Sequence, residues 1–276
     1  MNHLPSAAAP VFSTLLLTGA AGVLGRAVAP GLRRLCQRLR LSDLPGPLDT
    51  VPLQPGDEAC PADLADAEAM NALLRGVQAV VHLGGVSQEG PFAPILAANL
   101  AGTTHLYEAA RRAGTRRVVF ASSNHVTGGY PQGQNLTTAD APRPDGFYGA
   151  SKLYGEGLAA LYWQRYGIES VCLRIGSAAP EPADARALAT WLSLRGLQQL
   201  LHCALTAPEV GCIVAYGCSA NTRRWWHDEA TWARLGYAPQ DNAEAWAAQL
   251  QHVLLPEGLQ RELQGGSFLG IGPFDD

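Results

Sequence analysis

Short apolar runs alternate with amphipathic stretches along the first two thirds of the chain. The runs that predict strands are Thr14–Thr18, Arg40–Asp43, Ala79–Leu83, Arg117–Ser122 and Ser170–Ile175. Apolar positions recur at helical spacing over residues 23–35, from Asp66 onward, over 92–112 and over 147–166. Strands that alternate with helices build parallel sheets. The pattern therefore predicts an α/β fold, namely a Rossmann-like doubly wound parallel sheet with helices on both faces.

Loop-forming residues separate these elements, and the alternation fades towards the C-terminus. Four prolines make residues 44–57 a predicted loop, and Gly, Pro and Asp do the same for 127–146. Beyond residue 177 we expect a helix near 186–206, a strand near 212–216 and a Trp-rich segment. The chain is therefore divided into a flexible extension over 1–13, a central sheet domain over 14–176 and a small C-terminal cap over 177–276.

Composition limits the possible partners. The 276 residues carry a net charge of −4 without a basic block, so nucleic-acid binding is not expected. No apolar run reaches the ~18–20 residues of a membrane-spanning helix, so no membrane association is expected either. The six cysteines are scattered without a CxxC pair. That spacing argues against a metal site or a disulfide framework and favours a reducing cytoplasm.

A glycine-rich turn follows the first predicted strand and precedes a helix. Gly19, Gly22 and Gly25 have the spacing GxxGxxG. Bare backbone at such a turn, together with the N–H groups of the helix N-terminus, binds a pyrophosphate. Turn glycines that bind nothing are the alternative interpretation. The surrounding strand and helix favour a dinucleotide-binding turn.

Acidic residues follow the next two elements at positions that suit the rest of a dinucleotide. Asp43 lies 18 residues after Gly25, where a carboxylate accepts hydrogen bonds from ribose hydroxyls and repels a 2′-phosphate. Leu44 follows it in place of an arginine, which favours NAD over NADP. Asp63 and Leu64 are placed to meet the adenine. A turn residue at Asp43 and a helix cap at Asp63 are the alternatives.

Lys152 is the single lysine among 20 basic residues, and it lies four residues after Tyr148. This spacing places both side chains on one face of the predicted helix. An ammonium within ~4–6 Å favours the phenolate and lowers a phenol pKa of ~10, so we expect Tyr148 to act as a general base. Ser122 and Ser123 end a strand upstream, and Ser123 is the better candidate to hold the reacting oxygen. A surface lysine beside a core tyrosine, with serines that only end a strand, is the alternative.

These motifs together resemble the extended short-chain dehydrogenase/reductase superfamily, and the finer sequence is similar to one member family, the uronate dehydrogenases. The similar segments are residues 18–26, 63–66, 81–87, 99–111, 118–131, 143–156, 173–182 and 242–246, which span most of the chain. VVFASSNHVTGGYP (118–131) and LRIGSAAPEP (173–182) are the most specific. Gly129 departs from the family, whose members often carry a larger residue there.

The resemblance implies site residues position by position. The cofactor positions are Gly19, Gly22, Leu24, Gly25, Asp43, Asp63, Leu64, Leu83, Asn99, Tyr148 and Lys152. The catalytic positions are Ser123, Tyr148 and Lys152, and the substrate positions are Ser87, Ser123, Asn124, His125, Tyr148, Ser177, Arg186 and Phe268. The implied reaction is NAD-dependent oxidation of D-glucuronate or D-galacturonate at C1 to an aldarolactone. Relatives commonly self-associate, so a homo-oligomer is expected.

Reasoning from the residues favours the same substrate class. The region after residue 177 is small, which suits a monosaccharide better than a nucleotide-sugar. Arg186 begins the predicted cap helix and can bind a carboxylate bidentately, although a solvated helix arginine is the alternative. His125 is placed either to touch sugar hydroxyls or to be satisfied within its loop. We expect Arg174 to be structural and Trp225–Trp226 to belong to the core of the cap.

Two other functions stay open on the sequence alone. One is a sugar epimerase or dehydratase of the same superfamily that keeps its NAD tightly bound, and free NADH accumulating with substrate would argue against it. The other is a redox-sensing NAD-binding module without catalysis. The presence of both Tyr148 and Lys152 disfavours that module.

Overall fold

The computed structural model describes residues 10–274, and a parallel sheet forms its centre. The strands are β1 (Phe12–Thr18), β2 (Cys36–Ser42), β3 (Asp57–Ala59), β4 (Ala79–His82), β5 (Arg117–Ser123), β6 (Glu169–Ile175), β7 (Ser177–Ala178), β8 (Trp191–Leu192) and β9 (Cys212–Gly217). Seven of them form one sheet in the order β3-β2-β1-β4-β5-β6-β9, and every neighbouring pair is parallel. The order runs outward in both directions from the β1–β4 pair. The predicted doubly wound sheet is therefore confirmed.

Helices cover both faces of this sheet. They are α1 (Val23–Arg33), α2 (Pro45–Leu48), α3 (Ala67–Leu73), α4 (Phe92–Ile95), α5 (Gly102–Ala113), α6 (Phe147–Tyr166), α7 (Ala187–Thr190), α8 (Leu194–Thr206), α9 (Glu229–Leu235), α10 (Ala247–Leu250) and α11 (Leu259–Glu262). Leu15 and Leu17 of β1 pack in a core with α1 and α8, whereas Leu16 packs in a second core with α3, α5 and α6. Burial on both faces explains why the strands are continuous apolar runs.

Some helix boundaries follow the sequence prediction and others do not. Asp66 begins α3 as predicted, because its carboxylate accepts hydrogen bonds from the N–H groups of Glu68 and Ala69. The predicted helix over 92–112 consists of α4 and α5 joined by a π-helical turn, Leu96–Ala101. Such turns are rare and are often found at functional sites.

Two predictions of local structure are wrong. The predicted loop over 44–57 contains α2 and the start of β3, since Pro45 fits the first turn of a helix. The predicted helix near 186–206 is two helices, α7 and α8, separated by β8. Ser193 begins α8 because its side chain accepts a hydrogen bond from the N–H of Gly196. Periodicity alone did not show that interruption.

The central sheet continues past residue 176, where the sequence placed a domain boundary. β9 pairs with β6, and α8 packs beside α1 on one face of the sheet. The three-part division stays a prediction, but β9 of the cap region belongs to the central sheet and α8 belongs to the helix layer that covers it. Residues 1–9 of the predicted extension lie outside the described residues. Within residues 10–274, no helix is both long enough and apolar enough to cross a membrane.

A buried ion pair holds α6 on the sheet. Glu156 accepts hydrogen bonds from Nε and Nη2 of Arg174, both at 2.9 Å, and from the hydroxyl of Ser122 at 2.6 Å. The two charged side chains are 7% and 4% exposed. Arg174 is therefore structural, as predicted. Trp226 is also in the core as predicted, because it is fully buried and stacks on Tyr216 with ring centroids 5.1 Å apart.

Replacing Glu156 with alanine should destabilise the protein by about 3–5 kcal/mol, because it leaves the Arg174 charge buried without its partner. The midpoint of urea unfolding, followed by circular dichroism, measures this loss. Glu244→Ala is the matched control, since it breaks the exposed pair with Arg223 and should leave the midpoint nearly unchanged. Equal shifts in the two variants would contradict the structural role of Arg174–Glu156.

Candidate active site

A cavity of about 810 Å³ opens at the carboxyl ends of β1, β4, β5 and β6. It lies where the strand order reverses, which is the usual ligand-binding position of doubly wound sheets. The predicted residues that line it are Gly19, Gly22, Leu24, Gly25, Asp43, Leu83, Ser87, Ser123, Asn124, His125, Tyr148, Lys152, Ser177, Arg186 and Phe268. The fold thus brings the glycine-rich turn, the Tyr–Lys pair and the C-terminal segment to one place.

Three predicted cofactor residues are not among those that line the cavity. The carboxylate of Asp63 accepts a hydrogen bond from the N–H of Ala65 within its own turn. Leu64 lies against Gly102. Asn99 is buried in the π-helical turn, where its amide bonds to the N–H and carbonyl of Val86 and to the hydroxyl of Ser151. Their assignment to the cofactor stays a prediction.

The glycine-rich turn has the shape that a dinucleotide requires. Gly19 has φ = +70°, and a Cβ there would lie 2.7 Å from the backbone nitrogen of Gly84. A Cβ on Gly25 would collide with the carbonyl oxygen of Gly19, so only glycine lets α1 approach the turn this closely. Gly22 is exposed at the cavity wall. The N-terminus of α1 therefore faces the cavity with bare backbone.

Asp43 follows β2 and lies beside this turn. Its Oδ2 accepts a hydrogen bond from the N–H of Ala21, and its Oδ1 accepts one from the N–H of Leu44, both at 2.9 Å. These backbone bonds fix the carboxylate beside the turn while it still lines the cavity. A negative charge at this position suits a ribose with free hydroxyls and repels a 2′-phosphate.

Tyr148 and Lys152 lie one turn apart on α6 and both are buried. The ammonium nitrogen of Lys152 is 5.4 Å from the centre of the Tyr148 ring. Ser123, at the end of β5, hydrogen-bonds to the phenol. The predicted trio of Ser123, Tyr148 and Lys152 is therefore assembled at one wall of the cavity.

The predicted lowering of the Tyr148 pKa by Lys152 is wrong for this structure. Burial raises the pKa of the phenol to about 12, although the Ser123 hydroxyl lowers it and the Asp145 carboxylate raises it further. Burial also lowers the pKa of Lys152 to about 8. Removal of water disfavours the charged form of both groups, and this effect exceeds the attraction that the i, i+4 spacing suggested.

The start of α6 is held by a residue that the sequence analysis did not select. The carboxylate of Glu89 accepts hydrogen bonds from the N–H groups of Phe147 (3.0 Å) and Tyr148 (2.9 Å). A carboxylate at a helix N-terminus is favourable because it satisfies free donors and complements the helix dipole. Glu89 therefore joins the loop that carries Ser87 to the helix that carries Tyr148.

Arg186 reaches the far end of the cavity from the residue just before α7. Its Nη1 lies 3.1 Å from the hydroxyl of Ser177. With the Asn124 amide oriented to donate to the carbonyl of Ile175, its oxygen accepts a hydrogen bond from Nη2 of Arg186 at 3.1 Å. Burial lowers the pKa of the guanidinium to about 10, so it remains positively charged at neutral pH.

Gln264, which the sequence analysis did not select, holds the other edge of that guanidinium. Its backbone carbonyl accepts hydrogen bonds from Nε (2.8 Å) and Nη2 (2.5 Å) of Arg186. The fully buried side chain accepts a bond from the indole of Trp226 and donates to the carbonyls of Pro131 and Gln134. These contacts join residues that are 38 to 133 positions apart in sequence, which is why no local motif marks them.

An aromatic and acidic group completes the wall beside Tyr148. The His125 ring stacks on Phe268, with centroids 4.0 Å apart and an angle of 13°. It meets the edge of Tyr148 at 5.6 Å. Its Nδ1 lies 2.6 Å from the carboxylate of Asp145. The loop bond predicted as one alternative for His125 is therefore present, and the ring also lines the cavity.

Comparisons with known proteins agree with this geometry. The model of the NAD dependent epimerase/dehydratase family matches residues 15–204. Uronate dehydrogenase of Pseudomonas syringae pv. tomato is 46% identical over 267 residues, which are 96% of each chain. Among solved structures, glucuronic acid dehydrogenase from Chromohalobacter salexigens is 44% identical with a TM-score of 0.89, covering 94% of this chain and 97% of that one. A mutant of uronate dehydrogenase from Agrobacterium tumefaciens complexed with NAD is 43% identical with a TM-score of 0.90, covering 96% and 100%.

Proposed function

Because the chain belongs to the uronate dehydrogenase family, within the NAD dependent epimerase/dehydratase family, we propose that it oxidises a cyclic hexuronic acid at C1 with NAD as cofactor. The substrates are D-glucuronate and D-galacturonate, and the product is the aldarolactone. The observation that carries this proposal is one cavity with a dinucleotide turn, a buried tyrosine and a guanidinium along its wall.

The cavity residues divide the chemistry between them. The Tyr148 oxygen takes the proton of the anomeric hydroxyl. Ser123, on the same cavity wall, holds the anomeric oxygen of the sugar in place. The glycine-rich turn and Asp43 would hold NAD⁺, which would supply the hydride acceptor for C1. The positive charge of its nicotinamide would favour the phenolate of Tyr148. Lys152 contributes its ammonium below the ring of Tyr148 and is placed to hold a ribose hydroxyl. The phenol pKa of about 12 therefore describes the protein without this added charge.

The far end of the cavity supplies recognition of the sugar's acid group. Arg186 provides the positive charge, and Ser177 and Asn124 lie beside its two terminal nitrogens. A carboxylate placed there meets the guanidinium and the Ser177 hydroxyl together. Charge-assisted hydrogen bonds of this kind are about twice as strong as neutral ones. A neutral aldose offers no such partner.

Spectrophotometry of NADH formation tests this function. The protein is mixed with NAD and with glucuronate, galacturonate, glucose and galactose in turn. We expect stoichiometric free NADH with the two uronates and slow turnover with the neutral sugars. An epimerase or dehydratase would re-oxidise its bound NADH in each cycle, so substrate loss without free NADH would contradict the proposal. Cytoplasmic location and a homo-oligomeric state stay predictions from the sequence.

Cofactor preference provides a separate prediction at Asp43. Replacing Asp43 with alanine should lower kcat/KM for NAD by about 10- to 100-fold, since a charged hydrogen-bond acceptor is worth ~1.5–3 kcal/mol. The same change removes repulsion of the 2′-phosphate, so kcat/KM for NADP should rise. Initial rates with each cofactor measure both effects. Asp49→Ala, in the loop after α2, is the control and should change neither rate. An unchanged ratio of the two rates in Asp43→Ala would exclude its ribose role.

A further inference from the structure

The carboxylate of Asp145 lies close to Tyr148, and the proposed reaction assigns it no role. Its side chain is only 1% exposed, and its Oδ2 lies 2.6 Å from Nδ1 of His125. Arg186 is close enough to interact electrostatically, but its guanidinium donates hydrogen bonds to Gln264 and Ser177 instead. A buried carboxylate costs free energy unless it has a partner. His125 is therefore the group that satisfies it.

The backbone forms a close-fitting niche around this carboxylate. A Cβ on Gly128 or on Gly265 would collide with Oδ2 of Asp145, and one on Gly149 would lie 3.0 Å from Oδ1. The N–H of Gly265 donates to the carbonyl of Gly128 at 2.9 Å, which joins the two sides of the niche. The carboxylate consequently has one position, and that position is against His125.

The His125 ring is held on three sides. Phe268 lies parallel to it, Tyr148 meets it edge-on, and Asp145 binds Nδ1. In a neutral imidazole one nitrogen donates and the other accepts, and the bond that one nitrogen makes decides which. A carboxylate at Nδ1 requires the donor there. The second nitrogen, Nε2, then carries the lone pair on a ring that lines the cavity.

We propose that Asp145 is a positioning residue that holds His125 in the Nδ1–H tautomer, so that Nε2 accepts a hydrogen bond from a hydroxyl of the bound sugar. The identity of the sugar rests on the proposed function, whereas the tautomer does not. The same carboxylate lies close to Tyr148 and makes its phenolate harder to form. Asp145 thus acts on two neighbours in ways that can be measured separately.

Nitrogen NMR of the wild-type protein tests the tautomer directly. The ¹⁵N-labelled enzyme is measured at pH 8, and the His125 signals are assigned by their loss in His125→Gln. We expect a protonated Nδ1 and an unprotonated Nε2. A protonated Nε2, in either the other tautomer or the imidazolium, would overturn the proposal. This result needs no turnover, so it stays decisive even if no uronate is oxidised.

Kinetics of Asp145→Asn then test the link to the sugar. Asparagine fits the niche but no longer demands a donor at Nδ1, so KM for the uronate should rise about 10- to 100-fold, as for other groups that orient a binding histidine. In a His125→Ala background the same change should add nothing to KM. The Kd for NAD should stay constant. If the double variant raises KM by the product of the two separate increases, Asp145 acts only through packing.

The pH profile gives a readout that packing would not move. Removing a negative charge beside Tyr148 lowers the pKa of its phenol, so the rising limb of kcat against pH should shift to lower pH in Asp145→Asn. Asp140→Asn is the matched control in the same loop, since its carboxylate binds Thr137, and it should shift neither KM nor the limb. A limb that stays in place, or moves to higher pH, would refute the charge effect on Tyr148.

Discussion

Replacing Tyr148 with phenylalanine should abolish NADH formation from uronates while NAD still binds. The variant keeps the ring that contacts His125 and Phe268 and removes only the oxygen that we propose takes the anomeric proton. General base catalysis contributes about 10²- to 10⁴-fold, so kcat should fall by at least that factor. Stopped-flow absorbance of NADH measures the rate, and calorimetry measures the Kd for NAD.

The neighbouring hydroxyl supplies the comparison for this variant. Ser123→Ala keeps the phenol and removes one hydrogen bond to it, so we expect a smaller loss in kcat than in Tyr148→Phe. The same bond lowers the pKa of the phenol, and its loss should move the rising pH limb upward. Substantial turnover by Tyr148→Phe would show that another group accepts the proton.

Replacing Arg186 with alanine should remove the preference for uronates. Truncating one partner of a buried, hydrogen-bonded charge pair costs ~2–5 kcal/mol, which corresponds to a fall in kcat/KM of roughly 30- to 4,000-fold. KM should rise and kcat should fall, because the sugar loses both its affinity and its orientation. Initial rates over a range of glucuronate and galacturonate concentrations measure the two parameters.

Measurements with neutral aldoses distinguish loss of carboxylate recognition by Arg186 from general damage to the active site. The slow oxidation of glucose or galactose should hardly change in Arg186→Ala, since these sugars lack the carboxylate. Arg186→Lys keeps the charge without the planar fork and should recover only part of the uronate activity. If uronates and aldoses lose activity equally, Arg186 supports the loop around Gln264 and does not bind the carboxylate.

The spacing of residues was sufficient to predict those site features whose residues lie close together in the sequence. The glycine-rich turn needs a strand before it, a helix after it and three glycines, and all of these lie between Phe12 and Arg33. Tyr148 and Lys152 share a helix face because helix geometry demands it. The apolar runs predicted the sheet, because a strand that is buried on both faces consists of consecutive apolar residues.

Local spacing failed where polar side chains interrupt or end an element. Ser193 interrupts the predicted helix near 186–206, because its side chain begins α8 by accepting a hydrogen bond from the N–H of Gly196. Helical periodicity on either side conceals that break. The amide of Asn99 bonds to Val86 and Ser151, partners that the spacing did not predict, and its cofactor position stays a prediction. Such hydrogen-bond partners depend on which loop the fold brings close to the side chain. The spacing of residues along the sequence does not show which loop that is.

By itself the amino-acid sequence determined the doubly wound sheet, the dinucleotide turn and the pairing of Tyr148 with Lys152, because each depends on neighbours within a few turns of chain. Only the tertiary structure decided that Glu89, Asp145 and Gln264 support the site, because their partners come from distant segments. It also decided the direction in which the pKa of the Tyr148 phenol shifts. Burial depends on everything packed around a group, and here it outweighs the one charge that the spacing made visible.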